Sequence, residues 1–217
     1  MRRLDLMLVA GAAATLTTGC AMLGYGPPPP PRPVVIPQAY ALGDVIGGRK
    51  VRAQKLRKAG IRPLGPTQVA YTVGRQELAL RQQTAGTGVD VIRQGNELML
   101  RMPSSVTFAP NSSALNPQFG STLGEVARSL KAYPASMVDV LGHTDSTGTP
   151  AANQALSLKR ADTVAAALAS RGVQRVRLAT RGYAATKPLG DNSTEDGRAL
   201  NRRVEIRIVP LTTYDVR

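Results

Sequence analysis

LGHTDSTGTPAANQALSLKRADTVAAAL, Leu141–Leu168, decides the fold. The preceding residues MVDVL, Met137 to Leu141, alternate as a β-strand and run into small polar residues that can only form a loop. Ala152 to Ser170 then carries helical spacing and stops before Gly172, a natural residue for the position just past a helix C-terminus. The stretch is therefore strand, loop, helix, with His143 and Asp145 at the loop. A metal site takes three or four ligands. The chain has one histidine, and its only cysteine is Cys20, so no metal is expected there. Ser146 or Ser157 with His143 would supply a nucleophile and a base, but nothing places them in a strained elbow of the G-x-S-x-G kind. Arg160 is more informative. Leu156 and Val164 flank it four residues to either side, so it sits on an apolar row of the helix, where a guanidinium must snorkel to solvent or meet a carboxylate. Two readings are open. Asp145 and Arg160 flank a shallow pocket for a zwitterion, with ammonium on Asp145 and carboxylate on Arg160. Alternatively, they pair with each other as a structural salt bridge.

Outward from this stretch, the periodicity continues on both sides. GTGVDVIRQGNELMLRMP alternates at Val89 and Val91 and again at Leu98 and Leu100 across a Gln94-Gly95-Asn96 turn, a β-hairpin. Asn116-Pro117 is a helix cap followed by proline at the first helical position, and Phe119, Leu123, Val126 and Leu130 mark one helix face that Pro134 ends. VQRVRLATRG reads as a strand with Val176 and Leu178 inward and Arg175 and Arg177 outward. RRVEIRIV alternates with Val204, Ile206 and Ile208 inward and Arg203, Glu205 and Arg207 outward. The order β-α-β-α-β-β predicts an α/β sandwich, with helices packed on one face of a mixed sheet and right-handed crossovers.

The N-terminal part differs in character. Arg2 and Arg3, a short apolar stretch Leu6 to Leu16 and small residues before Cys20 form a secretory signal rather than a membrane span. Pro27 to Pro31 favour a stiff extended spacer. Residues 41–62 hold seven Lys/Arg and one acid, which predicts a short basic helix ended by Gly60, either grazing an anionic surface or lying in a solvated linker. In YTVGRQELALRQQTA, residues 71–85, Val73, Leu78 and Leu80 are loosely helical in spacing, and Glu77 can pair with Arg81. The expected organisation is a signal over 1–20, a Pro-rich linker over 21–40, a basic, partly helical linker over 41–90, a compact domain over 91–210 and a tail over 211–217. The formal net charge of +14 favours acidic partners. Aromatic content of 4% and the lack of a recognition helix argue against nucleic acid.

These motifs together resemble the peptidoglycan-associating domain of the OmpA family. The family's GHTD-x-x-G segment stands here at Gly142, His143, Thr144, Asp145 and Gly148. Its N-x-x-L-S-x-x-R-A-x-x-V stands at Asn153, Leu156, Ser157, Arg160, Ala161 and Val164. Phe108 in SVTFAPNSSALNP, Gly182 in RGYAATKP and NRRVEIRI from Asn201 match the opening and closing elements. The resemblance covers about residues 95–210. It implies a non-catalytic domain without cofactor or metal that binds peptidoglycan through the diaminopimelate of the stem peptide, held by Asp145 and Arg160. Thr144, Thr147 and Gly148 would line the same pocket, Asn153 would fix the loop to the helix, and Asn201 and Arg202 would contact ligand or cap the fold. His143 would pack or hydrogen-bond at the strand end. The leader resembles a bacterial lipoprotein signal, departing from it at Thr17, where leucine is usual. Ala21 and Met22 after Cys20 favour the outer over the inner membrane. The implied protein is lipid-anchored at Cys20 to the periplasmic face of the outer membrane and tethers that membrane to the wall. The alternative is a partner-binding subunit of an envelope complex such as a secretion apparatus, with envelope proteins as further partners. A flagellar stator would need a true transmembrane helix, which Leu6 to Leu16 does not supply.

Overall fold

The computed structural model describes residues 45–109 and 112–216. The expected signal, Cys20, the proline run and Pro110 lie outside these residues. Five strands, β1 (Asp90–Gln94), β2 (Glu97–Pro103), β3 (Ser136–Gly142), β4 (Leu178–Gly182) and β5 (Arg203–Pro210), form one sheet in the order β1-β2-β5-β3-β4. β1 with β2, β2 with β5 and β5 with β3 are antiparallel, and β3 with β4 is parallel. The helices are α1 (Arg49–Lys58), α2 (Pro66–Gln83), the single turn α3 (Ser104–Thr107), α4 (Gly120–Ala132), α5 (Pro150–Ser170) and α6 (Glu195–Asn201). This is the mixed sheet with packed helices that the periodicity predicted. Among the described residues, no helix is long and apolar enough to cross a membrane.

One face of the sheet carries the main core. Leu98, Leu100, Val138, Val140, Ile206 and Ile208 pack against Leu123, Val126 and Leu130 of α4 and Ala161, Val164 and Leu168 of α5. The caps expected at Asn116 and Gly172 are in place, and α5 starts at Pro150, before the expected Ala152, with Thr149 as a further cap. The Asn116 side chain accepts from the Gln118 amide at 3.1 Å, Thr149 Oγ1 accepts from the Ala152 amide at 3.2 Å, and Gly172 has φ 90° just beyond α5.

The domain begins well before residue 91, so the expectation of a linker over 41–90 is corrected. Its basic part is helical, as the residues suggested, but α1 lies against the second face of the sheet. Ala53 and Leu56 are buried there with Met137, Val209 and Leu211, and Arg52 makes a buried ion pair with Asp139. α2 buries Val69, Val73 and Leu80 in the main core. Each such side chain contributes about 1.5–3 kcal/mol when taken out of water, too much for a segment that only spans a gap. Leu78, read as part of the helix's apolar face, is 55% exposed, while the Glu77–Arg81 pair forms at 2.8 Å. The tail is also built in. Leu211 is fully buried, Leu64 bridges to Thr212, and Asp215 pairs with Arg49.

Of the arginines read as outward, Arg175 is exposed, but Arg177, Arg203 and Arg207 are buried. β4 starts only at Leu178, and the residues before it form a 3-10 turn, Arg175–Arg177. Arg177 is 1% exposed, its guanidinium donating to the carbonyls of Leu130, Tyr133 and Ser136. Every residue of β5 is buried. Because β5 is a central strand with both faces covered, alternation of polar and apolar residues marks two buried faces here, one apolar and one ionic. On the ionic face Glu205 lies 2.8 Å from Arg203, 3.6 Å from Arg101 and 3.5 Å from His143. Burial alone would raise the Glu205 carboxyl, but His143 and the Arg203 guanidinium hold it down at about 2.

α5 approaches the sheet at two glycines paired in register, Gly142 of β3 and Gly182 of β4. A Cβ at Gly142 would stand 1.9 Å from the Ser157 carbonyl oxygen, and one at Gly182 would stand 2.5 Å from Ser157 Oγ. Gly142→Ala is therefore expected to destabilise the protein by roughly 1–3 kcal/mol or more, because the obstacle is helix backbone that cannot rotate away. Urea unfolding measures this, and a variant as stable as wild type contradicts the packing. Glu205→Gln strands buried Arg203 and Arg101, at a cost on the order of 3 kcal/mol. Its carboxyl is depressed from the ordinary 4.5 to about 2. The stabilisation is therefore complete above pH ~4.5 and is lost as pH falls through about 2. Between those limits wild-type stability is expected to climb with pH more steeply than that of Glu205→Gln, as thermal unfolding would show.

Candidate functional site

The loop that follows β3 is held from four sides. The His143 amide donates to the Arg203 carbonyl, and the Thr144 amide donates to the Ala184 carbonyl, each at 2.9 Å. Ala184 sits at φ 47°, an uncommon conformation for a side chain with a Cβ. Ser157 Oγ accepts from its amide at 3.1 Å. Asn153 Nδ2 donates to the carbonyls of Asp145 and Thr147 at 3.3 and 2.9 Å, so this residue of α5 does fix the loop to the helix. The Ser146 amide donates to Asn192 Oδ1 at 3.1 Å. His143 is 1% exposed and stacks on Tyr183 with centroids 5.4 Å apart. Burial pushes its imidazole below the ordinary value, so it is a neutral packing residue at the strand end.

Asp145 emerges from this frame as a nearly buried carboxylate. Its Oδ1 accepts from the Thr147 amide at 2.9 Å and its Oδ2 from Arg202 Nη1 at 2.8 Å. Burial would raise the carboxyl, but Arg202 and the Thr147 amide together hold it below the usual range. Arg202 reaches in the other direction to Glu195 at 2.6 Å. Its bonds to Asp145 and Glu195 raise its basicity. Glu195 is depressed in turn by Arg202 and by Arg198, 2.8 Å away on α6.

Arg160 is placed differently. It is 6% exposed, with Nε donating to the Ser112 carbonyl at 3.1 Å and Nη1 to Ser104 Oγ at 3.3 Å, and its guanidinium lies 5.1 Å from the centre of the Phe108 ring. Among the described residues no carboxylate pairs with it, so the direct salt bridge to Asp145 is absent and Arg202 takes that position. The three groups nonetheless share one neighbourhood. Ser104, which holds Arg160, donates its amide to the Arg202 carbonyl at 2.9 Å. Burial and the nearby Arg202 charge lower the Arg160 pKa, and the Asp145 charge opposes them. The arrangement presents a nearly buried cation, without a counter-ion among the described residues, near a carboxylate whose partner is the partly exposed Arg202.

The remaining expected residues divide. Thr144 is buried, and its Oγ1 has no hydrogen-bond partner among the described residues. Thr147 and Gly148 form the exposed lip of the loop, Gly148 at φ 90°. Asn201, expected at the ligand or as a cap, is wholly buried. Its Oδ1 accepts from the amides of Leu189 and Gly190, and its Nδ2 donates to Gly190 O and Asn192 Oδ1. With its amide fully engaged, Asn201 holds the 189–192 loop against the Asp145 loop, as a cap of the fold would. The reading missed Glu195, Ser104 and Ser112. Glu195 and Arg202 lie seven residues apart, two helical turns, and that spacing was the available signal. Nothing in the sequence marks Ser104 or Ser112, because they act from other elements. Among the described residues no group of three or more His, Cys, Asp or Glu is disposed to hold a metal.

The OmpA family model matches residues 107–202. The probable lipoprotein YiaD of Escherichia coli (strain K12) is 47% identical over 143 residues, 66% of this chain, and the match spans 65% of that relative's length. A MotB-like protein from Desulfovibrio vulgaris shares the fold with a TM-score of 0.60 at 21% identity, over 74% of this chain and 96% of that one. The cell wall anchor of the T6SS from Pseudomonas aeruginosa has a TM-score of 0.56 at 28% identity, over 60% of this chain and 96% of that one. Asp145, Arg160 and Arg202 all lie within residues 107–202, and that stretch is OmpA-like.

Proposed function

We propose that the domain binds peptidoglycan without catalysis, gripping the amino-acid head of diaminopimelate in the stem peptide and tethering the outer membrane to the wall. The observation that carries this reading is Arg160, a guanidinium 6% exposed without a carboxylate partner among the described residues. A ligand carboxylate supplies the missing charge, and its ammonium replaces Arg202 on Asp145. Thr144 Oγ1 offers a further polar contact, and the backbone of Thr147 and Gly148 borders the site. The likeness to a cell wall anchor supports the same partner. One amino-acid head buries little area, so single-site affinity is weak, and attachment gains strength from a membrane anchor and many wall sites. That anchor is an acyl group on Cys20, with the proline run as spacer, which puts the domain on the periplasmic side of the outer membrane.

Co-sedimentation with purified sacculi tests the site. Asp145→Ala and Arg160→Ala are each expected to weaken retention roughly tenfold or more, since each removes a charge-assisted hydrogen bond. Free diaminopimelate should compete for the wild type. If both variants fold and sediment as wild type does, the site is elsewhere. The anchor has a separate test. Labelled fatty acid should enter the wild-type chain and not Cys20→Ala, and an unlabelled wild type removes the lipid anchor from the reading.

A further inference from the structure

α1 carries a charged surface that neither folding nor the wall-binding site uses. Its inner side is committed: Arg52 to Asp139, Arg49 to Asp215, and Ala53 and Leu56 to the core. Its outer side shows Lys50, Lys55, Arg57 and Lys58 to solvent, followed by exposed Arg62. Arg175, also exposed, stands in the 3-10 turn packed beside the helix. Helix stability accounts for only part of this arrangement: Lys55, Arg57 and Lys58 stand in the last turn, where cations favour the helix dipole. The first turn has no acid, where an acid would favour the dipole, and Lys50 stands there instead. No acid occurs anywhere in the helix, so the like charges Lys55 and Lys58, three residues apart, have no acid between them. Val51 is the one apolar side chain of α1 that is largely exposed, at 53%, so the helix has no face to insert into hydrocarbon. It is suited to lie on a charged surface rather than in it.

The position of α1 selects the surface. α1 packs at Met137, near the start of β3, and at Val209, near the end of β5. Asp145 follows the opposite end of β3. The cationic helix and the wall-binding loop therefore sit at opposite ends of the sheet. α1 is also the first described helix after the N-terminal segment with its apolar stretch and Cys20. We infer that α1 is an electrostatic contact surface for a bilayer of anionic phospholipid, so that one end of the domain faces a membrane while the other faces away from it.

Vesicle co-sedimentation of the full chain carrying Cys20→Ser tests this, with phosphatidylcholine alone or mixed with phosphatidylglycerol. Any contribution of the N-terminus, with Arg2 and Arg3 before its apolar stretch, is the same in the wild type and in both triple variants. The chain is expected to bind the anionic vesicles more tightly, and the difference should shrink at high salt. Lys50→Gln, Lys55→Gln and Lys58→Gln together should reduce that difference roughly tenfold or more. Arg75→Gln, Lys131→Gln and Lys159→Gln, which remove the same charge elsewhere, should leave it largely intact. Sacculus retention should be unchanged by the α1 triple variant, which separates this surface from the Asp145 site. Equal binding to both vesicles, equal effects of the two triple variants, or loss of sacculus rather than vesicle binding would each overturn the assignment.

Discussion

The close contact of α5 with Gly142 and Gly182 governs the rest of the structure. Two glycines in register let helix backbone touch strand backbone, and Ser157 is the residue that fills the gap. That contact sets how far α5 lies from the sheet. It thereby sets where Asn153 meets the loop after β3, and where Arg160, almost one turn beyond Ser157, reaches Phe108 and Ser104. Ser157 also accepts from the Ala184 amide, whose own carbonyl holds Thr144. One serine between two glycines thus connects both loops of the site to one helix. A displacement of α5 would move Asp145 and Arg160 by different amounts, because one sits on a strand end and the other on the helix.

Beneath the site lies the ionic face of the sheet. Glu205, Arg203, Arg101 and His143 form one cluster, and Arg52 with Asp139 forms another under α1. Buried pairs of this kind add little net stability over well-packed apolar residues, but losing one member is costly. Their effect here is to fix register and orientation. Arg203 is the neighbour of Arg202, so anchoring Arg203 to Glu205 aims Arg202 at Asp145. The cationic composition of α1 has a related cause. A helix covering a face that displays Asp139 and Glu97 must bring arginines, and Arg52 and Arg49 meet those acids.

Much of this was legible in the sequence because periodicity reports burial. Val204, Ile206 and Ile208, the hairpin around Gly95 and the Phe119-to-Leu130 helix face are where their spacing put them. The errors share one origin. Arg203, Glu205, Arg207 and Arg177 were read as outward because a charged residue is normally solvated, and the pattern cannot show that a second layer covers it. The same cover made residues 45–90 look like a linker. The mean character of α1 is polar, yet two apolar residues and two arginines dock it. At the site, Asp145 and Arg160 were found from an arginine on an apolar row. Their true relation was not, because the intervening partner, Arg202, stands where α6 ends and β5 begins, far from both in sequence.

Asp145 and Glu195 share Arg202, Glu195 also pairs with Arg198, and Arg160 has only neutral partners among the described residues, so the neighbourhood holds three arginines against two carboxylates. A simple anion would satisfy Arg160 and leave Asp145 as it is. A simple cation would compete with Arg202 at Asp145 and do nothing for Arg160. On the proposed reading a zwitterionic ligand would serve both groups, and Arg202 would keep Glu195. The Asp145–Arg202 contact holds the nearly buried carboxyl below its usual range. Preference for a zwitterionic head over a simple anion or cation would then rest on charge pairing rather than on shape.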